Sequence, residues 1–386
     1  MEIYLDNSAT TKPYKEVIEV MGDAMEKYYG NPSSLHKIGI KAEKKLDECR
    51  EYIASTINAN KDEIYFTSGA SEGNNLIIKG IPKSGNHVIT TKFEHHSVLK
   101  VYEDLEKKGI NVTYLDVDKD GMISLKQLED SINKDTVLIS IMFVNNEIGS
   151  IQDIEKIGKL IKEKSSRAKF HVDAVQAYGK FFINVKKMNI DILTTTGHKF
   201  HGPKGTGFLY LKKGIRPNSL IHGGSQESGL RAGTHNVPGI IALKKACEIS
   251  CSNISENYEN VLELKTYMIN KLKEIDNIYI NSPNDEKHSP YILNITFKGV
   301  RAEVLLHMLE EDNIYVSTGS ACTSKTNIAS GSYVLKAIGL CDKDAEGGVR
   351  FSFSEDNTKE EIDIVINNLK RSLSFLRRIK RWVNLY

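Results

Sequence analysis

The chain has little cysteine, no excess of charge of one sign and no long apolar run, and each shortfall closes a class of function. Its 386 residues include five cysteines, Cys49, Cys247, Cys251, Cys322 and Cys341. They are scattered and odd in number, which excludes a disulfide framework, and no Cys-x-x-Cys pair offers a zinc site. A reducing, cytoplasmic compartment is the expectation. Lys and Arg number 52 and Asp and Glu 50, for a formal charge of +2. That balance argues against a chain that coats nucleic acid or lies on a membrane surface. The longest apolar stretch, 137–144, is far too short to span a bilayer. The start, Met1 to Asp6, lacks the basic residues and apolar run of a secretory signal. Neither an internal repeat nor a low-complexity linker is visible.

What is present reads as ordinary globular protein, 40% hydrophobic and 26% charged. The length suggests two or three domains and is ample for large cores. From about Glu63 to Leu211, short β-rich runs alternate with helical patterns. Strands are expected at Glu63–Thr67, Asn86–Thr91, Asn111–Leu115, Thr136–Val144, Phe170–Asp173, Ile190–Thr194 and Gly207–Leu211. Helices are expected at Ser71–Lys79, Ser97–Lys108, Ser124–Ile132 and Asp153–Lys164. This alternation predicts an α/β domain with a mostly parallel seven-stranded sheet, whose ligands sit at the carboxyl ends of the strands. One long helical stretch, Val237 to Ile275, should bridge to a smaller α+β part. There, strands are expected at Ile278–Asn281, Tyr291–Phe297, Ile314–Ser317 and Val349–Ser354, with helices at Ala302–Glu311 and Thr358–Tyr386.

Several segments carry chemistry-bearing residues. In Thr194-Thr-Thr-Gly-His-Lys199, hydroxyls and a histidine precede a lysine just after an apolar run. A solvated loop lysine is the ordinary reading; the neighbours instead suit a phosphate held beside a Schiff-base amine. His171-Val-Asp173 puts an acid at the end of a buried-looking strand, where it either caps a turn or faces a pyridinium nitrogen. Phe66 to Asn75 reads as strand, small-residue turn and helix start, a place where free N–H groups bind phosphate or Ser71 simply caps its helix. In Glu94-His95-His96, as in His198-x-x-His201, the spacing is poor for a metal. A flat imidazole there is better placed to stack on a cofactor ring and move protons. Cys322 lies in a run of small polar residues with Lys325 nearby, where it is either an inert thiol, as most free cysteines are, or a nucleophile. The other four cysteines read as packing residues. Arg350, in a strand-like segment, is either an edge charge or a bidentate clamp for a carboxylate.

Taken in order, these segments resemble the cysteine desulfurases of the housekeeping and nitrogen-fixation group, pyridoxal-phosphate enzymes of the class V aminotransferase family. The resemblance runs from Tyr4-Leu-Asp-Asn-Ser-Ala-Thr-Thr11 to the Arg350 segment. It includes Gly30-Asn-Pro-Ser-Ser34, Ser68-Gly-Ala-Ser-Glu72, Val144-Asn-Asn-Glu-Ile-Gly149, His222-Gly-Gly224, Arg231-Ala-Gly-Thr234 and Gly319-Ser-Ala-Cys322. It implies a fold-type-I homodimer, with a large cofactor-binding domain at 13–260 and a small domain formed by 1–12 and 261–386 that carries the cysteine loop. It implies pyridoxal 5'-phosphate held covalently by Lys199, which would also shuttle the substrate proton. Asp173 would face the pyridine nitrogen, and His95 would stack on the ring. Asn146 and Gln176 would bond near its phenolic oxygen. Ala70, Ser71, Thr196 and His198 would bind the phosphate, with Thr234 reaching in from the partner subunit. Asn31 and Arg350 would hold the carboxylate of L-cysteine. Cys322 would take the sulfur as a persulfide, release L-alanine and pass the sulfur to an acceptor, an iron–sulfur scaffold or a tRNA-thiolation enzyme, with no direct nucleic-acid contact. A selenocysteine lyase or a class V aminotransferase is the alternative.

Departures from the pattern are Ser71 for threonine, Thr196 for serine, Gly73 for a small side chain, and Ser225 and Ser228 for glycine and arginine. The sequence lacks the longer C-terminal tail of the housekeeping members and ends instead on the basic run Lys370, Arg371, Arg377, Arg378, Lys380 and Arg381. A solvated face is the expected use of that run.

Overall fold

The computed structural model describes residues 1–319 and 331–383, with side chains to Arg378. The chain begins with β1 (Ile3–Tyr4) and then forms two helices, α1 (Lys15–Lys27) and α2 (Lys37–Thr56), which the sequence reading did not anticipate. Both are charged on their outer faces and bury only a thin stripe, Val17 and Ala24 on α1 and Ala42, Leu46, Cys49 and Ile53 on α2.

The main sheet follows. Its strands are β2 (Ile64–Thr67), β3 (His87–Thr91), β4 (Asn111–Leu115), β5 (Thr136–Met142), β6 (Lys169–Asp173), β7 (Ile192–Thr196) and β8 (Gly207–Leu211). Their order is β2-β8-β7-β6-β5-β3-β4. The pairs among β7, β6, β5, β3 and β4 are parallel, whereas β8 runs antiparallel to both β2 and β7. Helices α3 (Ala70–Gly80), α4 (His96–Lys107), α5 (Leu125–Ser131) and α6 (Ile154–Lys164) connect the strands. Residues buried on both faces of β5 and β7 show why these strands read as continuous apolar or small runs. The strand expected at Ile190–Thr194 lies two residues further on, so Thr196 ends β7 rather than starting the loop.

The expected long helix at 237–275 is two helices, α7 (Val237–Ser252) and α8 (Ile254–Leu272), separated at Asn253. Asn236 caps α7 by accepting from the Gly239 N–H, and Pro238 occupies its first turn. Beyond α8 come β9 (Ile278–Ile280), β10 (Ile292–Phe297), α9 (Ala302–Glu310), β11 (Ile314–Tyr315), β12 (Ser317–Thr318), α10 (Tyr333–Ala337), α11 (Asp342–Ala345), β13 (Gly348–Ser352) and α12 (Lys359–Val383). The strand expected at Ile314–Ser317 therefore splits: β11 pairs with β1, and β12 joins an antiparallel sheet of order β12-β13-β10-β9.

One apolar core lies around the main sheet and includes Ile139, Phe170, Leu193 and Phe208. A second, including Ile3, Leu5, Leu293, Phe351 and Ile366, ties the first residues to the C-terminal elements. Cys49 and Cys247 are buried as expected, and Cys251 partly so. Cys341 is exposed, not a packing residue, because it is the N-cap position of the short helix α11.

Candidate active site

The carboxyl ends of β2, β3, β5, β6 and β7 deliver five loops to one cavity of about 590 Å³. Its lining includes Ala70, Ser71, His95, Asn146, Asp173, Gln176, Thr196, His198, Lys199 and Arg350. Ten of the expected site residues thus meet, although they lie up to 280 positions apart in the chain. Asn31 and Thr234 do not line the cavity of their own chain; both are exposed. Cys322 lies outside the described residues, whereas Gly319, just before it, is part of the wall.

Lys199 follows β7 on a short 3-10 turn. Its Nζ donates to the carbonyl oxygens of Ser8 at 2.6 Å and Ala9 at 2.8 Å. The N-terminal segment therefore crosses the site, and it is pinned there by Thr11, whose N–H donates to the His198 carbonyl and whose Oγ1 accepts from the His201 N–H. His198 is neutral: burial, then the Lys199 and Lys204 charges, pushes it down to about 4.

Asp173 ends β6. One carboxylate oxygen accepts from the Val175 N–H at 3.0 Å, and the other from Asn74 Nδ2 at 2.9 Å. His95 caps α4, and its Nδ1 accepts from the Ser97 N–H at 3.1 Å. Since Nδ1 accepts, the proton of the neutral ring is on Nε2. Burial, partly countered by Asp173 and reinforced by Lys199 and His96, lowers the affinity of this ring for a second proton.

At the start of α3, Gly69 adopts φ +149°, open to glycine alone among common residues, and no side chain caps the helix. Its N-terminal N–H groups are thus available to an anion beside Thr196. Glu72 in the first turn would repel such an anion. Burial pushes its carboxyl up, but Arg231 and Ser68 outweigh that and hold it ionised and paired. Gly73 explains one departure from the family pattern: a Cβ there would lie 2.9 Å from Thr194 Cγ2, so its absence lets α3 close onto β7.

Arg350 on β13 is buried. It donates to Asp6 Oδ1 at 2.7 Å and to the Asn146 carbonyl at 2.8 Å, and its Nε has no partner among the described residues. Asn146 Oδ1 and Gln176 Oε1 are likewise buried without partners. Such orphaned atoms are costly unless a ligand completes them, and together with the uncapped helix and the lysine they form a polar set that fits a phosphorylated aromatic aldehyde.

The comparisons with known proteins agree with this geometry. The family model described as "Aminotransferase class-V" matches residues 3–365. The chain belongs to the class-V aminotransferase family. A protein named cysteine desulfurase IscS from Clostridium botulinum (strain Hall) is 44% identical over 98% of this chain and 96% of its own. A protein of the same name from Methanosarcina thermophila is 44% identical over 98% and 93%. Among solved structures, a NifS-like protein superposes with a TM-score of 0.91 at 37% identity, covering 97% of this chain and all of its own. A structure of SspA in complex with cysteine gives 0.81 at 36% identity, over 93% and 100%.

In this class-V aminotransferase, sequence reasoning missed Asn74, Ser97, Glu147 and the carbonyls of Ser8 and Ala9. Asn74 stood inside the segment singled out for its small residues, yet amides carry no periodic signal. Glu147 is a buried carboxyl that burial pushes up to about 7 despite Ser332 and Arg350. It accepts from the Ser332 hydroxyl and sits against Gly319.

Proposed function

We propose that this chain is a pyridoxal-phosphate-dependent cysteine desulfurase that converts L-cysteine to L-alanine and leaves the sulfur on Cys322. The observation that carries this reading is the convergence of Lys199, Asp173, His95 and Arg350 on one cavity whose wall includes Gly319, close in sequence to Cys322. When bound, pyridoxal phosphate supplies an electron sink for the pair left as bonds at the substrate α- and β-carbons break.

The chain's own residues do the rest. Lys199 would hold the cofactor covalently, and its Nζ is placed to move the substrate α-proton. Asp173, kept a hydrogen-bond acceptor by Asn74 and Val175, holds the ring-nitrogen proton. His95 stacks on the ring. Ala70, Ser71, Thr196 and His198 would take the phosphate, and the amides of Asn146 and Gln176 would face the ring's phenolic oxygen. Arg350 would bind the substrate carboxylate, whereas Asn31 lies outside the cavity of its own chain. The Cys322 thiolate attacks the substrate sulfur; the new S–S bond forms as the C–S bond breaks, and the carbon is protonated to give alanine.

A homodimer belongs to this reading, because Thr234 is exposed, does not line its own cavity and would complete that of the partner. Leu35 and Tyr29, 94% and 72% exposed, support such an apolar interface. The same reading divides the chain into 13–260 and 1–12 with 261–386, which sets Lys199 and Arg350 on different units. A free Cys322 thiol requires a reducing setting, as in cytoplasm. An iron–sulfur scaffold or a tRNA-thiolation enzyme is the proposed sulfur acceptor. The test is product analysis from L-cysteine with pyridoxal phosphate and a dithiol. Equimolar alanine and sulfide support the reading; 3-mercaptopyruvate in place of alanine overturns it in favour of a transaminase, and pyruvate with ammonia in favour of an eliminating lyase.

A further inference from the structure

A buried file of polar side chains runs through the middle of the main sheet and ends at both Asp173 and His95. It begins at Tyr102 on α4, whose hydroxyl lies 2.7 Å from Ser140 Oγ on β5. Ser140 Oγ is 2.8 Å from His171 Nδ1, and His171 Nε2 is 3.3 Å from Thr194 Oγ1. Thr194 Oγ1 is 2.6 Å from Asn74 Oδ1. Asn74 is fully buried on α3, and its Nδ2 donates to Asp173 Oδ2 and to Ser97 Oγ, each at 2.9 Å. Ser97 Oγ in turn lies 2.9 Å from His95 Nδ1.

The proton directions along this file are forced. An ionised carboxylate only accepts, so the amide group of Asn74 that faces Asp173 is its NH₂ and the atom facing Thr194 is its oxygen. Thr194 must then donate to Asn74 and can only accept from His171, which puts the His171 proton on Nε2. His171 is neutral throughout the working range, since burial pushes it down to about 3. Its Nδ1 accepts from Ser140, which accepts from Tyr102. At the other end, His95 Nδ1 accepts from the Ser97 N–H and carries no proton, so the hydrogen between it and Ser97 Oγ is the hydroxyl's own.

We propose that Asn74 is a positioning residue for the reaction, one that ties the hydrogen bonding of the carboxylate at the cofactor nitrogen to the tautomer of the ring-stacking histidine. One planar amide spends both hydrogens on the two groups, so neither can rotate or change its proton pattern without disturbing the other. His95 stays a neutral Nε2–H imidazole, and Asp173 stays oriented with both oxygens engaged. The cofactor half of this inference rests on the pyridoxal-phosphate reading; the His95 half does not.

The charged and titratable groups facing His95 are Asp173, Lys199 and His96. A hydrogen bond donated to Nδ1 stabilises the neutral ring and opposes protonation. Its loss raises the His95 pKa. The experiment uses the full-length chain labelled with 15N at histidine, with the His95 ring signals assigned through His95→Gln. Asn74→Leu, which keeps the volume but not the amide, is compared with Ser97→Ala and Thr194→Val. The His95 titration should move upward in all three. The pH midpoint of the bound cofactor's visible absorption should move in Asn74→Leu, by more than about half a unit, and stay put in Ser97→Ala. Turnover should fall about tenfold in Asn74→Leu.

An unchanged His95 titration in a folded Asn74→Leu protein overturns the proposal and leaves Asn74 as packing alone. If that variant does not fold, Thr194→Val and Ser97→Ala decide: an upward His95 shift in both supports the link, and no shift in either overturns it. A chain that takes up no pyridoxal phosphate defeats the reading of the site, while the His95 titration still answers for Asn74.

Discussion

The ammonium of Lys199 is held 2.6 Å from the carbonyl oxygen of Ser8, at the far end of the chain in sequence. A second carbonyl, that of Ala9, lies at 2.8 Å. The N-terminal strap therefore aims the lysine into the cavity. Borohydride reduction of the pyridoxal-phosphate-loaded protein should fix the cofactor to the tryptic peptide containing Lys199, as read by mass spectrometry. Lys199→Ala should lose that label, and its turnover should fall by roughly 10²–10⁴-fold or more.

Arg350 is already paired with Asp6, so a substrate carboxylate must share its guanidinium, using the unpartnered Nε. Lysine cannot reproduce that fork. Arg350→Lys should raise KM for L-cysteine by about tenfold or more while leaving turnover of cysteamine, which has no carboxylate, close to wild type. Equal losses on both substrates would assign Arg350 to structure instead.

Glu227 couples stability to pH. Burial pushes its carboxyl up, but hydrogen bonds from Arg50 and His235 win and hold it down at about 2, against an ordinary 4.5. The folded state thus binds fewer protons than the unfolded state between these values. The stabilisation is complete above about 4.5 and is lost as pH falls toward 2. Glu227→Gln should lower the melting temperature at pH 7, and the gap to wild type should close on acidification through this window. Because Glu227 anchors the turn that carries Thr234, cofactor retention should weaken over the same range.

Leu35 is 94% exposed between α1 and α2, where the proposed dimer would cover it. Leu35→Glu should shift the protein toward monomer in analytical ultracentrifugation and weaken retention of the cofactor, which in the proposed dimer would take a phosphate contact from the partner's Thr234. A monomeric wild-type protein with full activity would refute the shared site.

The parts legible in the sequence were those where chemistry and local pattern coincide. Lys199, Asp173, His95 and the Ser68–Ser71 turn each follow an apolar strand, so their place at the carboxyl ends of a parallel sheet could be read directly. The helices α1 and α2 were missed because their dense lysines and glutamates hide a narrow buried stripe. The break at Asn253 was missed because helical periodicity continues on both sides of it. Asn74 was invisible as a site residue because its partners are distant in sequence, Asp173 being 99 residues away. The Asp6–Arg350 pair, 344 residues apart, was hidden for the same reason. Such pairings are products of topology and leave no local trace.

The central claim is that sulfur passes from L-cysteine to Cys322. Its most direct test is a single turnover without reductant, followed by alkylation and mass spectrometry of the peptide bearing Cys322. One added sulfur atom is expected on Cys322, in step with alanine formation, and neither product in Cys322→Ala although its visible cofactor absorption persists. Alanine formed at the wild-type rate by Cys322→Ala, or no added sulfur on the wild-type peptide while alanine accumulates, would contradict it.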